Sequence, residues 1–223
     1  MPRFSLSRAE LTRTMSNPSF AEDLAKIYEH TVGTGCEGAV WLNKSSQGIE
    51  YSDLYLPTSA RENYGADPRS ELRIHAADTI AAFLHSHPGM TDITSGTPTD
   101  IHQYPSLEDL EMFAKCDAVG QDPGFIGGVV SRDPCKLGAG RLLLLRTDPT
   151  TFRPDVLEGC SYEKYHRILR REAVVPFLKE CGFATAEFGL SPGDTQFNWE
   201  PLLYPSDIHL TVEEAVAKLY PNE

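Results

Sequence analysis

Two histidines spaced by one residue and followed by proline, His85-Ser86-His87-Pro88, are the residues of this chain whose types and spacing most clearly invite chemistry. The run from Thr79 to His87 (T-I-A-A-F-L-H-S-H) reads as a strand that Pro88 ends. Side chains at i and i+2 of a strand share a face, so both imidazoles project together, a few ångströms apart. Neutral imidazoles so placed are good zinc ligands. The next informative stretch is Pro105-Ser106-Leu107-Glu108-Asp109. Ser106 with an acidic residue three positions on is a helix start. Asp109, in the first turn, can turn its carboxylate toward a metal above the helix N-terminus, with the Ser106 hydroxyl facing the same space.

His-x-His-Pro followed by Pro-Ser-x-x-Asp at a helix start resembles the signature of the JAMM (JAB1/MPN/Mov34) zinc metalloproteases. The resemblance covers about residues 18–148. It implies a mixed, mostly antiparallel sheet flanked by helices, of the cytidine-deaminase-like MPN type. It implies Zn2+ held by His85, His87 and Asp109, with Ser106 donating to the oxyanion, an effect often worth about 3 kcal/mol. It also implies an upstream glutamate, on the first strand of the domain, as general acid/base. Glu37 matches best, because it begins the apolar run Gly38-Ala39-Val40-Trp41-Leu42. Glu29, on the polar side of a helix, and Glu50, at the start of a hairpin's second strand, are its rivals, and a strand-start glutamate can also be an ordinary structural acid.

What the family does sets the functional expectation. Its members are peptidases, many of which cut ubiquitin or ubiquitin-like proteins from their targets. By resemblance, the substrate is a peptide or isopeptide bond behind the C-terminal tail of a ubiquitin-like protein, in deconjugation or maturation. A bacterial ubiquitin-like anti-phage system is one setting. Two alternatives stay open: a JAMM-like hydrolase of a phage-tail or toxin system acting on other peptides, and a non-catalytic MPN scaffold. One departure is visible. Residues 88–105 make a longer gap between His87 and Ser106 than the family usually has, which places an insertion, about Thr91 to Tyr104, at the metal rim. A longer loop adds only about 0.6 kcal/mol per doubling of length. Asp92, Asp100 and His102 lie within it.

These residues need elements to hold them. Asn17-Pro18 opens a helix, with Phe20, Leu24, Ile27, Tyr28 and Thr31 on one face and Gly33 and Gly35 ending it. Glu37 to Asn43 and Ile49 to Leu56 read as a hairpin across the turn Ser45–Gly48. Pro57 to Arg69 is loop-like, and Glu71 to Ala77, with His75, is ambiguous. Ser106 to Cys116 is a helix with Leu107, Leu110, Phe113 and Ala114 inward. Phe125 to Ser131 and Arg141 to Arg146 are strands joined by a turn at Pro134 to Gly140. Glycines 127 and 128 sit inside the first of these and Gly124 just before it, where close backbone packing is the simplest use for them.

The last third reads differently. Tyr162 to Glu180 is helical, with Pro176 kinking or restarting it and Gly182 capping it. Phe183 to His209, rich in aromatics and poor in charge, reads as an extended arm laid over a surface. Thr211 and Glu214 form a capping box for a closing helix. The organisation is therefore an N-terminal segment (1–17), a catalytic α/β domain (18–148), and a C-terminal helical extension with its arm (149–223).

Composition bounds the partners. Over 223 residues the net charge is −12, so phosphate backbones are repelled and nucleic acid is an unfavourable partner. No apolar run of 18 residues or more occurs, so no membrane span is expected. The polar, mixed-charge start does not read as a secretory signal. Five widely spaced cysteines (36, 116, 135, 160 and 181) without a Cys-x-x-Cys pair read as free thiols of a cytoplasmic protein. Cys116 and Cys135 have no activating base nearby in sequence, and His166 and His209 read as surface residues.

Overall fold

Asn17 and Pro18 act as their types require. The Asn17 side chain accepts from the Ser19 amide, Pro18 fills the first helical position, and helix α2 (Pro18–Thr34) runs until Gly35, whose φ of 72° makes a left-handed cap. In this computed structural model the residues described are 5–45, 48–51, 54–58, 80–87, 104–119, 124–132, 140–147, 151–169, 173–192, 197–201 and 211–221. The insertion with Asp92, Asp100 and His102, the segment containing His75, the Pro134–Gly140 turn apart from Gly140, and Cys135 and His209 lie outside them.

The strands are β1 (Ala39–Ser45), β2 (Gly48–Tyr51), β3 (Ile80–Ser86), β4 (Ile126–Arg132), β5 (Gly140–Thr147), β6 (Phe183–Pro192) and β7 (Phe197–Pro201). They form one sheet in the order β2-β1-β3-β4-β5-β6-β7. Every pairing is antiparallel except β3 with β4, where Ala82 lies beside Ile126 and Ser86 beside Val130. Parallel neighbours need a crossover. Helix α3 (Leu107–Val119) lies within it. A crossover helix starts from the end where the first strand finishes, so the sequence of elements brings the first turn of α3 to the C-terminal end of β3.

Alternation divides the sheet into two covered faces. On one, Val40, Leu42, Leu84, Ile126, Leu144 and Phe188 pack against α1 (Arg8–Met15), α2 and α7 (Val212–Ala217). On the other, Ala39, Trp41, Phe83, Leu143 and Leu145 pack against α3, α4 (Pro154–Glu158), α5 (Tyr162–Leu169) and α6 (Val174–Glu180). The architecture is thus a mixed α/β sheet, mostly antiparallel, with helices on both sides. No helix among the described residues is long and apolar enough to cross a membrane.

Three elements differ from expectation. The first is α1, inside the N-terminal segment. Ser7 and Glu10 cap each other reciprocally, and Leu11 and Met15 are buried, at about 1.5–3 kcal/mol per large apolar side chain. Its Ser-x-x-Glu capping box was legible in the sequence. The second is the expected arm. Residues 183–192 are a strand, with Phe183 to Leu190 pairing along all of β5 and Phe188 and Ala186 in the core, so residues beyond 148 continue the same sheet. Its period-2 alternation is interrupted by glycine and proline, which hid the strand. The third is the long helix, which is two: α6 restarts at Ala173, upstream of Pro176. Proline is tolerated in a first turn, where amides lack intrahelical partners. Gly182 lies beyond α6 with φ 85°, and a Cβ there would meet the Thr151 carbonyl oxygen at 2.3 Å.

Candidate metal centre

The antiparallel register between β1 and β3 sets up the site. Ala39 is opposite His85, and the Ser86 amide donates to the Gly38 carbonyl at 2.9 Å. Glu37 lies two residues before Ala39, just ahead of β1, and its charge acts on His87. Glu29 is on an exposed position of α2, and Glu50 pairs with Asn43, at the other end of β1. Of the three glutamates, Glu37 is the one whose charge acts on His87.

Ser86 points to the opposite face and locks this register. Its hydroxyl oxygen accepts from the Gly38 amide at 2.8 Å. Its proton has the Gly38 carbonyl at 3.2 Å and the Thr31 hydroxyl oxygen, also in hydrogen-bond contact, to donate to. Thr31 donates in turn to the Ile27 carbonyl of α2 at 3.0 Å. The residue between the two histidines therefore ties the start of β1, and with it Glu37, to the helix behind the sheet.

Asp109 arrives from α3. The Ser106 amide donates to Asp109 Oδ2 at 2.7 Å, and the Asp109 amide donates to Ser106 Oγ at 3.0 Å. This is a capping box with aspartate in the glutamate position. The same carboxylate meets both histidines: Oδ1 is 3.3 Å from His85 Nε2, and Oδ2 is 3.1 Å from His87 Nε2. The two Nε2 atoms are 3.0 Å apart. The helix start made by Ser106 and Asp109 and the approach of Asp109 to the histidines are one arrangement. In the cap the Ser106 hydroxyl oxygen accepts, so the cap does not use its proton.

Electrostatics bind the group together. Burial favours neutral His87, but the hydrogen bond and charge of Asp109 outweigh it, aided by the charge of Glu37 and by the Tyr104 backbone carbonyl as acceptor for the ring N–H, so its pKa is raised. Burial also works against an ionised Asp109; the charge and hydrogen bonds of the two histidines win and hold its carboxyl well below the ordinary carboxylate range.

The walls are aromatic. Phe83 stacks on His85 with ring centres 5.1 Å apart and planes 16° apart, and Phe113 of α3 closes over it at 6.3 Å. Phe113 can come so near the sheet because Gly127 lacks a side chain: a Cβ there would stand 2.4 Å from the Phe113 ring. Tyr165 of α5 is buried, and its hydroxyl donates to the Pro105 carbonyl at 2.7 Å, fixing the residue that precedes Ser106.

His85, His87 and Asp109 offer one ligand atom each within 4.8 Å of one another. Neighbouring donors on a tetrahedral ion at about 2.0–2.1 Å are about 3.3 Å apart, close to the spacings above. His85 Nδ1 is buried without a partner among the described residues. That leaves Nε2, which faces the other donors, as the ligating atom. Two imidazoles and one carboxylate suit zinc and other borderline divalent ions, so the group can hold a metal ion.

Of the residues expected from the sequence to form the site, His85, His87 and Asp109 converge, Ser106 caps the helix bearing Asp109, and Glu37 lies just ahead of β1. Sequence reasoning missed Thr31, Tyr104 and Tyr165, whose contacts are long-range and leave no local pattern. The remaining candidates fall elsewhere. His166 lies against the Tyr162 ring on α5, Cys36, Cys160 and Cys181 are buried free thiols, and Cys116 is on α3. Comparison of the chain with family models, with curated proteins and with solved structures gives no match.

Proposed function

We propose that this chain is a zinc-dependent peptidase or isopeptidase of the JAMM type that cleaves the bond after the C-terminal tail of a ubiquitin-like protein. The observation that carries the reading is the convergence of His85, His87 and Asp109 within 4.8 Å, with the charge of Glu37 acting on His87. A structural acid could sit anywhere on β1; a general base has to sit within reach of the metal.

His85, His87 and Asp109 would hold the ion. When bound, zinc lowers the pKa of its water toward ~7 and polarises a carbonyl. Glu37 accepts the proton of the attacking water and returns it to the leaving amine. The Ser106 hydroxyl, free to donate, faces the carbonyl oxygen as charge develops there. Phe83 and Phe113 keep bulk water from His85, which strengthens each of these interactions. Asp109 gives the donor set one negative charge, so the site suits a divalent cation better than three imidazoles would. An extended ubiquitin-like tail presents its scissile bond as a strand, a form that binds beside sheet edges. The acidic chain, at net charge −12, favours basic or neutral partners.

The test is to measure zinc in the purified protein by elemental analysis and to incubate it with a panel of ubiquitin-like fusions. Stoichiometric zinc is expected, with cleavage that chelator removes and zinc restores. Glu37→Gln keeps the metal and loses about 10²–10⁴ in rate. Cleavage that survives both Glu37→Gln and chelator would falsify the mechanism. Zinc binding without cleavage of any fusion would move the substrate to other peptides.

A further inference from the structure

Beyond the donors, the face of the sheet that carries them bears a buried ion pair. Arg141 on β5 is 5% exposed. Its Nη2 is 2.8 Å from Glu187 Oε2 on β6. Both lie on the metal face, since Leu142 and Leu144 point the other way. Ser131 is opposite Arg141 and, one step past the Ser86–Val130 pair, beside His87. Arg141 is therefore two strands from His87, about 10 Å across the sheet. Burying such a pair is costly and weak evidence for stability, so its place asks for a reason.

The guanidinium supplies one. It lies over the ring of Tyr104, 4.8 Å from the centroid. Tyr104 begins the three-residue approach to α3. The next residue, Pro105, is held at its carbonyl by Tyr165, and the one after, Ser106, caps the helix through Asp109. The Tyr104–Ser106 segment is thus gripped at two points from two directions. Arg141 grips the ring and Tyr165 the backbone. What this grip fixes is the height of Asp109 over His85 and His87.

We propose that Arg141, oriented by Glu187, is a positioning residue for the metal centre: by clamping Tyr104 it sets where the first turn of α3 delivers the Asp109 carboxylate. This rests on the metal-binding reading above. Arg141 touches neither ion nor substrate.

The test uses zinc affinity, measured by competition with a chromophoric chelator, together with the visible spectrum of the cobalt-substituted protein and the melting temperature. Arg141→Met alone strands Glu187 and is expected to unfold part of the population. The double variant Arg141→Met with Glu187→Met removes both charges and leaves the fold close to wild type in stability. It should bind zinc 10–100-fold more weakly, the usual loss when an outer partner of a ligand is removed, and shift the cobalt bands. Tyr104→Ala should give a similar loss, and adding it to the double variant should cost little more, because both act on one contact. A folded double variant with unchanged zinc affinity and an unchanged cobalt spectrum overturns the clamp while leaving the metal centre standing. Wild type without zinc affinity overturns the metal centre itself, and the clamp with it.

Discussion

Replacing Ser86 with alanine removes one oxygen from between the two histidines and leaves both imidazoles in place. The structure sets the magnitude. The Gly38 amide loses its acceptor, while the Gly38 carbonyl keeps the Ser86 amide and Thr31 keeps the Ile27 carbonyl. One buried donor is thereby orphaned, which costs about 1–3 kcal/mol. For a chain of this size each kcal/mol moves Tm by about 2–4 °C, so a fall of about 2–12 °C is expected by calorimetry. The functional effect should be separable. Zinc stoichiometry stays at wild type because no donor is touched. Cleavage falls, because the start of β1 is no longer tied to β3 and α2 and Glu37 loses its fixed distance to His87. Ser86→Ala with wild-type Tm and wild-type cleavage would show that the register of β1 does not depend on this hydroxyl, and the account of how Glu37 is placed would fail.

Zinc at about 100 times its dissociation constant should stabilise the stripped protein by about 2.7 kcal/mol, seen as a Tm rise of about 5–11 °C that Asp109→Asn abolishes. In metal-free protein the Tm difference between wild type and Asp109→Asn should depend on pH in a definite way. Asp109 has its pKa depressed below 3.8, so its contribution is complete above that value and fades as pH falls through the lowered one. His87 has its pKa raised above 6.5, so its share is complete below that value and fades as pH rises through the raised one. The difference should therefore be widest between 3.8 and 6.5, and a flat profile would count against the coupling. Gly127→Ala forces Phe113 outward; a stability loss of about 1–3 kcal/mol by chemical denaturation is expected, with weaker zinc binding because α3 moves with Phe113. Tyr165→Phe deprives the Pro105 carbonyl of its donor and should cost about 1 kcal/mol, and an unchanged Tm would argue that water replaces the hydroxyl.

Local signals located most of the elements and gave the donors. Asn17-Pro18, Ser106-x-x-Asp109 and Thr211-x-x-Glu214 announce helix starts because capping is a matter between residues two or three apart. β6 was not legible. Its alternation is broken by Gly189 and Pro192, and its strongest reason to be a strand is the length of β5 beside it, a partner some forty residues away in the chain. The two-helix structure of 162–180 was half legible, since proline marks a first turn and an interruption alike.

The sequence alone determined the donor types, the shared face of His85 and His87, and the cap that opens α3, because each depends on neighbours within one turn or one pleat. Only the tertiary structure decided that Asp109 meets both imidazoles and that Arg141 reaches Tyr104. Those follow from strand register and from where a crossover helix begins, and both are fixed by the packing of the whole sheet.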